Sequence, residues 1–154
     1  MIKEFEGLRE DEINVLLKAP AYVAILIGGA DGNIDKKEYA EAVDILKIKQ
    51  SKAREQLLEY FHEVGKTFKQ DFDELIDELP DDVEERTREI SAELRKLNVI
   101  LPKIDKTFSI KLYASLKEYA KRIAEASGGV LGYLSVSYEE SQLVDLKMIH
   151  EPKK

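Results

Sequence analysis

The chain has no cysteine, which rules out a disulfide framework and any thiolate nucleophile or ligand. It lacks any apolar run near the roughly 18 residues that a membrane-crossing helix needs. A basic cluster interleaved with aromatics is missing too: Lys66 and Lys69 lie near aromatics, but Asp71, Asp73 and Glu74 follow at once. Thirty-one acidic residues against 24 basic ones leave a formal net charge of −7. Nucleic acid and anionic lipid attract a positive surface, so neither nucleic-acid binding nor membrane insertion is expected. A cation or a basic protein surface is the natural counterpart. The opening, MIKEFEGLREDE, is acidic and has no apolar signal-peptide core, so a cytoplasmic location is expected.

Strand signals are scarce. VAILI (23–27) has no second candidate of comparable strength to pair with, and alanines flank it. AYVAILIGGA is therefore expected as a buried central helix. A short amphipathic piece from Asp11 to Leu17 precedes it, and Pro20 is expected to start the apolar helix. From about Lys52 to Leu79, one apolar stripe carries Leu57, Phe61, Phe68, Phe72, Leu75 and Leu79. Pro80 resets the chain, and Val83, Ile90, Leu94, Leu97 and Leu101 form the next stripe up to Pro102. A further helix is expected after Thr107 or Ser109, with Leu112, Leu116, Tyr119 and Ile123 leading toward Ala126. ASGGVLGYLSVS interrupts the helical habit, and Ser137 with Glu140 completes a capping box for a last helix.

These segments predict an all-α fold: a single compact domain of about six or seven helices over residues 11–150. A lead-in occupies 1–10 and a tail 151–154. The chain's 154 residues suffice for one domain with a core. Residues Asp71 to Glu85 hold nine acids in fifteen positions and read as a solvated junction between two helices. A faint echo links Ala30-Asp31-Gly32 and its following helix with Ala126-Ser127-Gly128 and the helix after it. It suggests two related halves.

GGADGNIDKKEYAEAV (28–43) looks like the back half of a calcium loop. With Gly32 at position 6, Asp31, Asn33, Asp35 and Glu38 take positions 5, 7, 9 and 12. Positions 1 and 3 then fall on Ile27 and Gly29, which offer no side-chain oxygen, so a full EF-hand is excluded. A structural reading explains the same residues: Gly32 ends one helix, Ile34 staples, Asp35 caps the next and Glu38 caps back. Three carboxylates within eight residues also leave room for a weak cation site. Both readings stay open, because caps use only some of the oxygens.

Ala30-Asp31-Gly32-Asn33-Ile34-Asp35-Lys36-Lys37-Glu38, after Pro20 and an apolar helix, resembles the TerB-like family. That family includes a tellurite-resistance protein and a domain of a DnaJ-type co-chaperone. ASGGVLGYLSVSYEE resembles the family's second glycine turn. The resemblance implies a helical domain of two related halves in a stress-response context. It also implies acidic residues that bind a divalent metal or mediate association. Asp31 and Glu38 match the acidic positions of the first half, and Glu140, with Glu139 beside it, those of the second. Ser127 departs from the pattern, standing where an aspartate is common. The expected ligand set is Asp31, Asp35, Glu38, Glu139 and Glu140, taking calcium, magnesium or manganese weakly.

Other motifs are incomplete. Glu59 and His62 have the spacing of a di-iron helix, but the only other histidine, His150, has Lys147 three residues before it. Ser127, Ser135, Ser137 and Ser141 have no histidine nearby in sequence. Gly128-Gly129-Val130-Leu131-Gly132 lacks the Lys-Ser/Thr ending of a phosphate loop. No enzyme activity is expected. The chain reads as a non-enzymatic binding module with an acidic surface. Its alternative is a metal-independent scaffold that docks a protein partner on the apolar turn around Leu131 and Tyr133.

Overall fold

Pro20 lies inside the first long helix rather than at the start of a new one. The computed structural model describes residues 2–29, 40, 42–48, 55–126 and 143–152, and helix α1 runs unbroken over Glu10–Gly28. A proline in a helix interior removes the donor for the carbonyl four residues earlier. That carbonyl belongs to Leu16, and the buried Tyr60 hydroxyl donates to it at 2.6 Å. The expected boundary is absent because a neighbouring helix supplies the missing bond. From Ala19 to Gly28 every residue of α1 is buried, as an all-round apolar sequence requires.

Three further long helices surround α1. Helix α2 (Glu55–Glu78) turns inward Leu57, Phe61, Phe68, Phe72 and Leu75 of the expected stripe, adds Tyr60 and Val64, and ends before the partly buried Leu79. Helix α3 (Val83–Arg95) begins at Asp82, whose Oδ2 accepts the Glu85 N–H at 3.0 Å. A short helix α4 (Leu97–Ile100) and a 3-10 turn (Leu101–Lys103) containing Pro102 complete that arm. Helix α5 (Lys106–Ala126) starts earlier than Thr107 or Ser109. Asp105 is the cap, accepting the Phe108 N–H at 3.0 Å, while the Ser109 hydroxyl donates to the Leu101 carbonyl at 2.9 Å. A carboxylate three residues before Phe108 satisfies an orphan N–H that the two hydroxyl residues further on would leave open.

Helix α1 packs against α2, α3 and α5, and one hydrophobic cluster joins all of them. Phe5, Tyr60 and Phe108 meet edge to face, with ring centroids 6.2, 5.7 and 6.3 Å apart. Residues 42–48 are also helical. Among the described residues there is no strand, and none of their helices is long and apolar enough to cross a membrane. The fold of the described residues is all-α, with five numbered helices besides the helical stretch 42–48. Ser137 and Glu140, expected to open a last helix, lie outside the described residues. The lead-in contributes to the core through Ile2 and Phe5. Burying each such side chain contributes about 2 kcal/mol.

Candidate functional site

The acid-rich junction is a surface, as its composition requires. Asp73, Glu74, Asp77, Glu78, Asp81, Asp82, Glu84 and Glu85 are all exposed. Asp71 is half-buried, and its carboxyl is pushed up, first by burial and then by Glu74, against the Thr67 hydroxyl bond and the Lys18 charge. One ring on α1 reports where these charges gather. The phenol of Tyr22 is pushed up to about 12, by burial first and then by the charges of Glu93, Glu78 and Asp71. Acids from α2 and α3 therefore act together on the same point of the central helix. Two opposing features limit the effect: Lys18 lies near Asp71, and Glu93 pairs with Lys96 at 2.9 Å.

Asp31, Asp35, Glu38, Glu139, Glu140, Leu131 and Tyr133 all lie outside the described residues, and so does Ser127. Fixed points flank the first group in the chain. The guanidinium of Arg86 is only 8 % exposed and donates to the Gly29 carbonyl at 2.8 Å and to the Asp81 carbonyl at 3.3 Å. It serves the C-terminal end of α1, where unpaired carbonyls and the helix dipole favour a cation. Gly29 itself has φ −96°, so the helix ends there without a left-handed residue. On the other side, the buried Tyr119 hydroxyl donates to the Ala42 carbonyl at 3.0 Å. Ile27 is helical and buried, which agrees with excluding a full EF-hand. Glu59 and His62 are exposed on α2, and among the described residues no three His, Cys, Asp or Glu side chains form a metal-holding group.

Two polar features were not legible in the sequence. Glu12 is 5 % exposed; one carboxylate oxygen accepts the Arg9 N–H at 3.0 Å and the other accepts Lys103 Nζ at 2.6 Å. The Lys103 bond, then the Arg9 N–H, holds this carboxyl below the usual range. Only a glutamate three residues into a helix, set beside many similar exposed ones, hinted at it. The second feature is Asn98, whose amide donates to the Met148 carbonyl at 2.9 Å and accepts the His150 N–H at 2.7 Å. This latch, together with buried Leu146 and Ile149, holds the C-terminal segment against α3 and α4. Leu146 adopts a left-handed φ of 51°, a costly conformation for a branched residue that its burial offsets.

The latch separates two hollows. One, of about 440 Å³, is lined by Leu97, Leu101, Ile104, Lys106, Ser109 and Pro152 among others. The other, about 470 Å³ and open, is lined by Ser91, Arg95, Asn98, Leu143, Lys147, Met148 and His150. No family model matches this chain, and neither a curated protein nor a solved structure matches it.

Proposed function

We propose that this protein is a non-enzymatic binding module whose acidic face receives a cationic partner. The observation that carries this reading is the run of exposed acids from Asp73 to Glu85 across the α2–α3 junction; the charges of Asp71, Glu78 and Glu93 on the Tyr22 phenol agree with it. A surface dense in exposed carboxylates carries a negative potential, which attracts a cationic ligand. A basic protein segment suits this face better than a resident metal ion, because the described acids do not close around one point as a ligand set. The TerB-like resemblance adds a second, weaker ligand class: a divalent cation at Asp31, Asp35, Glu38, Glu139 and Glu140, in a stress-response setting. All-oxygen donors would suit calcium, magnesium or manganese there.

Residue-resolved NMR titration separates the two. A lysine-rich peptide should shift the amides of Tyr22, Asp71, Glu78 and Glu93, and the variant Asp71→Asn/Glu78→Gln/Glu93→Gln should abolish those shifts. An unresponsive acidic face would refute the reading. Millimolar calcium, magnesium or manganese should act instead on residues 31–38, and Asp31→Asn should remove that response.

A further inference from the structure

We infer that the hollow between α3 and the C-terminal segment is a binding site for a small organic oxyanion, a phosphate monoester or a carboxylate carried on a short apolar body. The inference is independent of the acidic face and points to a ligand of opposite charge.

The lining decides the sign. In a protein of net charge −7, the described residues lining this cleft include Arg95, Lys147 and His150, and none of those described residues is acidic. The nearest acids along the segment are Asp145, which does not line it, and Glu151, which lines the neighbouring hollow. Among the described residues, no carboxylate pairs with Arg95 or Lys147. Elsewhere the exposed bases Lys66, Lys96 and Arg122 each have a glutamate three or four residues away at 3.0, 2.9 and 3.0 Å. Arg95 and Lys147 have no such partner among the described residues, and both line one cleft.

Ser91 is the second, separate observation. Its side chain lines the cleft yet is only 7 % exposed, and its hydroxyl has no hydrogen-bond partner among the described residues. Buried hydroxyls are nearly always bonded, so an unpaired one at a cleft wall marks a place for a ligand atom. Ser91, Arg95 and Asn98 follow at intervals of four and three residues, which sets them on one face of the α3–α4 arm. Arg95 supplies a planar fork for two oxygens, Lys147 a point charge and Ser91 a short donor at the base. Leu143 and Met148 add apolar wall, which a bare inorganic ion would leave unused. The volume, about 470 Å³, falls in the range of small-molecule sites.

Hexyl phosphate, hexanoate and hexanol, titrated into the full chain, test the site by amide NMR. Either anion should give saturable shifts at Ser91, Arg95, Asn98, Lys147 and Met148, and the stronger of the two identifies the headgroup. Arg95→Gln/Lys147→Gln should weaken binding by about a hundredfold, since each of the two charge-assisted bonds lost is worth about tenfold. Ser91→Ala should weaken it several-fold, while Lys121→Gln on α5 should leave it unchanged. Both cleft bases are exposed, so their removal should leave the denaturation midpoint near wild type, and Arg95→Gln alone repeats the test with less disturbance. Hexanol binding as tightly as the anions, the double variant binding like wild type, or no saturable shift for either anion would overturn the site.

Discussion

The Tyr60 hydroxyl replaces the amide proton that Pro20 lacks, donating to the Leu16 carbonyl at 2.6 Å across the α1–α2 contact. Burial pushes the Tyr60 phenol well above its ordinary value, so the donor keeps its proton throughout the neutral range. A helix that proline would otherwise weaken is completed from outside. Tyr60 also anchors the edge-to-face cluster with Phe5 and Phe108, which fixes where its hydroxyl points.

Tyr60→Phe should therefore destabilise the protein by about 1–3 kcal/mol, the cost of stranding one buried carbonyl. Adding Pro20→Ala should recover part of that loss, because the new amide can reach Leu16. Denaturation midpoints of the two single variants and the double variant form the cycle. If Pro20→Ala shifts wild type and Tyr60→Phe by the same amount, the two positions are not linked in this way.

Glu12 and Lys103 should make stability sensitive to acid. The folded protein holds the Glu12 carboxyl below the usual range, so folding favours its ionised form. That contribution is fully present above the unfolded value of about 4.3 and is lost as pH falls through the lower folded value. Glu12→Gln should lower the denaturation midpoint at pH 7 and converge with wild type in acid. Parallel midpoint curves for the two proteins between neutral and acid pH would remove Glu12 from the account.

Asn98 should govern the C-terminal segment. Asn98→Ala deletes both bonds of the latch and should cost about 1–3 kcal/mol. It should also speed hydrogen exchange at the His150 amide. Asn98→Asp keeps an acceptor for His150 but loses the donor to Met148, so it should fall between alanine and wild type. Exchange at His150 that is indifferent to both changes would show that Leu146 and Ile149 hold the segment unaided.

Much of the architecture was legible because burial has a period. The stripe from Leu57 to Leu75 and the all-round apolar run from Ala19 to Gly28 could be buried in only a few ways, and the structure buries both. Boundaries were harder. Pro20 read as a start because its missing donor is a local fact, while its remedy sits on another helix, 44 residues from Leu16. The last long helix was expected after Thr107 or Ser109, yet Asp105 comes first in the chain and caps it.

What the sequence determined by itself was therefore the class of fold, the inward faces of the long helices, the exclusion of a full EF-hand, and the solvated acidic junction. Each follows from residue type and spacing alone. Tertiary structure decided which polar groups meet: Tyr60 with Leu16, Glu12 with Lys103, Arg86 with Gly29, and Asn98 with Met148 and His150. It also set Ser91, Arg95 and Lys147 around one cleft. The physical reason is range: hydrophobic burial is non-directional and leaves a periodic trace in the chain, whereas a hydrogen bond or a binding site needs atoms within about 3 Å, and only packing brings distant residues that close.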